Sequence, residues 1–137
     1  MAITIPESHL DLLNDPIVVT LTTVSAEHEP YSVAVWKRWD GKQLFITSDA
    51  GVRKHRNILV NPHVSVMALD PKNPYRYLSL GGIADILEND VVEELDRQTL
   101  HYIGEPHYFG SQEPVEAQAS FKGVIFKIKP TRVVTLG

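Results

Sequence analysis

Cysteine is absent from this 137-residue chain. That removes disulfides and thiolate metal sites together, and it fits a reducing cytoplasm, the expected location. Long apolar runs are missing as well, and no stretch approaches the ~20 residues that a membrane span requires. The first residues carry Glu7 and Asp11 and no basic segment followed by an apolar one, so no signal peptide is expected. Excess basic charge is also lacking. The net charge of −4 argues against nucleic acid as the main partner.

Several chemical fingerprints are missing too. Gly-x-Ser-x-Gly does not occur, so no nucleophile elbow is expected. The glycine patterns G-x-G-x-x-G and G-x-x-x-x-G-K-[ST] are both absent. The histidines are scattered. His101 and His107 lie either side of Gly104 without helical i,i+4 spacing or a carboxylate at ligand distance, so no metal site is expected.

What is present is a chain of ordinary composition, 43% hydrophobic, long enough for one domain over residues 1–137 with a real core. Ser8, Asp11 and the nearby leucines predict a short capped helix ending before Asp15-Pro16. β-Branched residues predict a strand over 17–24, a second over 31–39 and a third over 44–47, forming a meander closed by the hairpin signal Asp40-Gly41. Helical spacing follows over 52–60, with Val52, Ile58 and Leu59 as the buried positions, and Asn61-Pro62 ends it. Strands are expected over 64–69 and 75–87, the latter with a bulge or close approach at Gly81-Gly82. Asp90 and Glu93 resemble a capping box that opens a helix with Val92, Leu95, Thr99 and Tyr102 along one face. Residues 104–120 read mostly as loop. A final strand covers 121–134, with Pro130 at an edge or bend. About six antiparallel strands with two or three short helices predict a mainly β protein, a small closed or nearly closed barrel.

The segment from Leu44 to Leu59 runs strand, hydroxyls, loop and then a helix that opens on Arg53-Lys54. A helix start favours an anion through its free N–H groups and dipole. Arg53 offers a fork of donors, Lys54 a point charge, and Thr47 and Ser48 short-range hydroxyls. Two readings of Arg53, Lys54 and Asn57 stand side by side, a solvated helix start and an anion site. Basic residues in a first helical turn oppose the dipole, and a bound anion offsets that conflict. Tyr75 and Tyr77 alternate around Arg76, a pattern that suits cross-strand packing with Arg76 on the opposite side. Trp36 and Trp39 fall on opposite faces of their strand. One suits the core, and the other suits a wall for a ring-shaped ligand or an interface.

Taken in order, Thr20-Leu21-Thr22-Thr23-Val24-Ser25, Pro30-Tyr31-Ser32-Val33-Ala34-Val35-Trp36, Arg53-Lys54 followed by Asn57-Ile58-Leu59 and Asn61-Pro62, Pro74-Tyr75-Arg76-Tyr77, and Gly81-Gly82-Ile83-Ala84 resemble the pyridoxamine 5′-phosphate oxidase-like superfamily. More narrowly, they resemble its actinobacterial branch that uses the deazaflavin coenzyme F-420. The resemblance spans about residues 10–87 and, more loosely, the last strand. It implies a split β-barrel homodimer with cofactor grooves between subunits. It also implies that Arg53 and Lys54 hold the cofactor phosphate, with Thr47, Ser48 and Asn57 assisting. Ser32, Val35 and Trp36 would lie along the ring system, and Tyr75, Arg76 and Tyr77 near the site, contributed across the dimer. Lys37, Arg38 and Arg56 are the candidates for the acidic tail of F-420.

Two positions depart from the pattern: Val52, where many relatives carry a hydroxyl, and Ala34, where a proline is common. The arginine-tryptophan pattern of the true pyridoxamine phosphate oxidases is missing, which argues against oxidation of the vitamer itself. The expected activity is hydride transfer from reduced F-420 to an unsaturated or conjugated small-molecule substrate. The alternatives are an FMN-binding oxidoreductase of the same fold and a non-catalytic carrier of the cofactor or of a tetrapyrrole. No catalytic acid or base is assigned.

Overall fold

Seven strands form one antiparallel sheet in the order β2-β1-β5-β6-β7-β4-β3. The computed structural model describes residues 3–137. The strands are β1 (Val19–Val24), β2 (Pro30–Val35), β3 (Arg38–Trp39), β4 (Leu44–Asp49), β5 (His63–Leu69), β6 (Tyr77–Leu87) and β7 (Gly123–Leu136). The helices are α1 (Asp11–Asn14), α2 (Arg53–Val60) and α3 (Val91–Ile103), with 3-10 turns at Glu7–His9 and Val115–Ser120. Among the described residues, no helix is long and apolar enough to cross a membrane.

The expected strand 31–39 is in fact two strands, and this accounts for seven rather than about six. β2 pairs with β1, whereas β3 pairs with β4, and these outer strands stand at opposite ends of the sheet order. Only Trp36 and Lys37 separate them. A link that short spans on the order of 10 Å, so the two edges of the sheet must curl toward one another. The result is a split barrel and not a simple meander.

Period-two alternation fills the barrel. Val19 and Leu21 of β1, Leu44 and Ile46 of β4, Val64, Val66 and Ala68 of β5, and Leu78 and Leu80 of β6 are all buried. Leu12 and Leu13 of α1 join this core. The glycine pair does mark a bulge, although the extra residue lies on the partner strand. Gly81 pairs with Arg132 and Gly82 with Pro130, which leaves Thr131 over. The Thr131 hydroxyl donates to the Gly81 carbonyl at 3.2 Å. A one-residue slip exchanges the two faces of a strand, so Val133 and then Pro130, Ile128 and Phe126 all stand opposite inward residues of β6.

Other expectations are corrected at the element ends. Asp90 adopts the left-handed conformation with φ of 60° and makes no side-chain cap, so there is no capping box. α2 buries Asn57 and Ile58, while Leu59 is 65% exposed, because the helix lies on β1 through one narrow face. Tyr75 and Arg76 sit in a turn before β6 and not on it. The Arg76 guanidinium reaches Asp11 and, at 3.0 Å, Asp70, and it donates to the Ser8 carbonyl at 2.6 Å. It thereby latches the N-terminal turns to the 70–76 loop. Among the described residues, His9 completes that latch, with Nε2 2.9 Å from the Leu136 carbonyl.

Candidate functional site

The strands that meet where the barrel splits frame a groove. Its wide end, a cavity of about 430 Å³, is lined by Val18, Ala34, Val35, Trp36, Thr47, Leu95, Tyr108 and Gln112. Its narrow end, about 170 Å³, is lined by Thr47, Ser48, Asp49, Lys54, Leu95, Tyr108 and Phe121. Thr47, Leu95 and Tyr108 belong to both ends, so the two form one continuous groove from Trp36 to Lys54.

The wide end is held by α3. Trp36 stacks on Tyr102 with ring centroids 4.9 Å apart and planes 9° from parallel. The Tyr102 hydroxyl donates to the Ile17 carbonyl at 2.7 Å and accepts from the Lys37 backbone N–H at 3.1 Å. It joins the segment entering β1 to the link between β2 and β3. Burial pushes this hydroxyl up to about 12, so it stays protonated as a donor. Lys37, 1% exposed, ties the same two segments a second time by donating from Nζ to the Asp15 carbonyl. Its burial lowers the ammonium to about 8, with Asp15 opposing the shift. Arg38 makes a bidentate pair with Glu94, which is 2% exposed, and Gln98 bonds both Glu94 and the Phe45 carbonyl.

At the narrow end, burial draws the Lys54 ammonium below the usual lysine range, while Asp49 acts the other way. Ser48 donates its hydroxyl to the Asp49 carbonyl at 2.8 Å. No side chain caps the start of α2, where Val52 precedes Arg53. The fit to a ribityl phosphate cofactor rests on this donor set. It offers a cation, a threonine hydroxyl without a hydrogen-bond partner among the described residues and uncapped helix amides, next to a cavity of about 430 Å³ walled by Val35 and Trp36.

The structure brings Val35, Trp36, Thr47, Ser48 and Lys54 together in the groove. It does not bring the others there within one chain. Arg53 lies over the Tyr31 ring, 4.4 Å from its centroid. Asn57 turns into the barrel and donates to the Thr23 hydroxyl at 3.0 Å. Ser32 faces the outer side of β2 and shares a 2.7 Å hydrogen bond with Thr22. Tyr75 is 74% exposed, Arg76 is held in its latch, and Tyr77 pairs with Leu69 and Leu136. Of the tail candidates, Lys37 and Arg38 are committed as described, and Arg56 donates to the Gly51 carbonyl at 2.7 Å.

Sequence reasoning missed Val18, Leu95, Tyr108 and Gln112. Leu95 was visible on the apolar face of α3, but its place beside β4 depends on the path of the chain. Tyr108 and Gln112 come from a loop without periodicity, and no local signal points them inward.

A family model for pyridoxamine 5′-phosphate oxidase matches residues 5–137 of this chain. The chain belongs to that family. Among solved structures, an F420 reductase is 32% identical, with a TM-score of 0.80, covering 95% of this chain and 98% of its own. A conserved hypothetical protein of Mycobacterium tuberculosis is 26% identical, with a TM-score of 0.75 and coverage of 98% and 86%. HutZ, the heme storage protein from Vibrio cholerae, shares the family fold at 18% identity and a TM-score of 0.71, covering 98% and 96%. A comparison with curated proteins gives no match.

Proposed function

We propose that this protein is a homodimeric oxidoreductase in which reduced coenzyme F-420 delivers a hydride to an unsaturated or conjugated small organic molecule. The observation that carries the reading is the union of an aromatic and apolar slot with a small lysine-bearing end in one groove. Trp36, Val35 and Ala34 suit one face of a flat ring, and Lys54 with Thr47 suits the phosphate of its arm. When bound, the cofactor supplies the hydride chemistry. The chain orients it: Tyr102 and Lys37 fix the Trp36 wall, and Leu95 excludes water from the middle of the groove. The likeness to an F420 reductase supports the deazaflavin.

The homodimer has its own support. Ala34, on the groove wall, is in register with Thr20, Met67, Ser79 and Val134 across the outer face of the sheet. Leu69, Tyr77 and Leu136 form the next row. Met67, Leu69, Val134 and Leu136 are all exposed apolar side chains, as an isologous interface requires. We assign Tyr75, Arg76, Tyr77, Ser32 and Arg53 to the cofactor site through that interface, and Asn57 to the support of α2.

A second reading, FMN in place of F-420, is favoured by one observation. Lys37, Arg38 and Arg56 are all committed within the chain, which leaves the acidic tail without the cations expected for it. Fluorescence titration of the purified protein with F-420 and, separately, FMN decides between them. We expect saturable F-420 binding at micromolar concentration, and its absence overturns the first reading. Lys54→Ala is expected to weaken binding about tenfold, the size of one charge-assisted hydrogen bond, with an unchanged melting temperature. An equal loss of affinity and stability would mean the lysine is structural. Sustained turnover over a panel of conjugated substrates separates an enzyme from a carrier.

A further inference from the structure

The narrow end of the groove has too little positive charge for its proposed guest. The monoester phosphate of FMN carries about −1.5 to −2 at neutral pH, and the phosphate of F-420, esterified on both sides, carries one negative charge. Lys54 is the one cation lining that end, and Asp49 lines it too, so the pair nearly cancels. Arg53 lies over Tyr31, and the Ser48 hydroxyl is already donated to a carbonyl. Within one chain, anion capture there draws on neutral donors as well.

Tyr108 is built to be one of them. Its backbone N–H donates to Asp96 Oδ1 at 2.9 Å, and its carbonyl accepts from Gln112 and Glu113 at 3.0 and 3.2 Å. Asp96 also meets His107 at 3.2 Å, so α3 grips the loop at consecutive residues. Phe109, buried beside Phe121, fixes the ring from the other side, with Tyr108 and Phe109 packed edge to face at 5.1 Å. Tyr108 lines both ends of the groove, and its hydroxyl makes no hydrogen bond among the described residues. Burial and then the carboxylates of Glu113 and Asp49 hold that hydroxyl in its protonated form.

We propose that Tyr108 is a phosphate-binding residue of the groove, its hydroxyl donating to the arm of the cofactor beside Lys54 and Thr47, with Asp96 as the positioning residue that aims it. The inference rests on reading the groove as a flavin-type site. It makes the 104–114 loop, which has no periodicity in the sequence, a part of the cofactor site and not only a wall toward substrate.

Flavin fluorescence titration with FMN and riboflavin tests it, because the two ligands differ only in the phosphate. Tyr108→Phe keeps the ring packing and removes one donor. It is expected to weaken FMN about tenfold, as for one hydrogen bond to a charged group, and to leave riboflavin within about twofold. Asp96→Ala is expected to move FMN in the same direction, and riboflavin little. Equal losses for both ligands, or no loss for FMN, overturn the proposal. Should wild-type protein bind F-420 and not FMN, F-420 and its phosphate-free deazaflavin take the places of FMN and riboflavin with the same expected outcomes. Should it bind neither, the reading of the groove falls, and inorganic phosphate then judges Tyr108 alone. A phosphate-dependent rise in melting temperature that is lost in Tyr108→Phe upholds the anion contact. No rise, or the same rise in both proteins, overturns it.

Discussion

Lys37 shows how a single side chain can carry both a structural tie and a penalty. Its ammonium is buried and reaches the Asp15 carbonyl, and it titrates near 8 in place of the ordinary 10.5. Between those values the unfolded chain keeps the proton that the folded chain has released. Stability contributed by this residue therefore rises as pH is raised from about 8 to about 10.5, and below about 8 the burial penalty is present in full. Lys37→Met removes the titration at little cost in volume. Urea unfolding of both proteins at about pH 7 and about pH 10 is expected to show wild type gaining on the variant as pH rises. A constant difference would mean that the ammonium is not held in this way. None of this was legible in the sequence. Lys37 stood beside Arg38 as a candidate for the acidic tail of F-420, because nothing local reveals that its side chain is buried between the two outermost strands.

Among the elements, β6 and β7 repay comparison with what their residues announced. Gly81-Gly82 marked a bulge correctly, since a glycine pair in a strand signals close backbone approach. The strand that yields is the partner, at Pro130 and Thr131. A Cβ at Gly82 would meet Ile128 Cγ2 at 2.7 Å and the Lys129 carbonyl oxygen at 2.8 Å. The second is backbone and cannot turn aside. Gly82→Ala is expected to cost roughly 1–3 kcal/mol in chemical denaturation, the usual range for overpacking, and a neutral result would place the bulge elsewhere. α2 was legible in its extent and, through the buried Ile58, only partly in its face. Asn57 is buried against Thr23 while Leu59 points outward, so its polar residue serves the fold and an apolar one faces solvent. A helix of eight residues has too few positions for periodicity to assign its faces.

For the whole molecule, family and barrel were both recoverable from ordered short motifs, while the site was recoverable in part. Thr47 and Ser48 were found as hydroxyls just ahead of the Arg53-Lys54 helix start, and Val35 and Trp36 through the ordered motifs of the family resemblance. Tyr108 and the fate of Arg76 depend on contacts between segments more than ten residues apart. The outer sheet face offers a test at this scale. Light scattering after gel filtration is expected to give twice the chain mass for wild type, and Val134→Glu, on an exposed apolar row, is expected to shift it toward one chain with weaker cofactor binding. A monomeric wild type that binds cofactor fully would remove the two-subunit site.

β7 is hydrogen-bonded to both β6 and β4, and the β3-β4 hairpin joins the rest of the sheet through it. A chain leaving the ribosome from its N-terminus therefore carries two unconnected pieces of sheet until the last of the seven strands emerges. β4 and β6 present open edges throughout that interval, and such edges are the ones chaperones must cover. Thr47 and Lys54 stand on or after one piece and Val35 at the border of the other. On the proposed reading, a cofactor would therefore recognise only chains in which β7 has joined the two pieces of sheet.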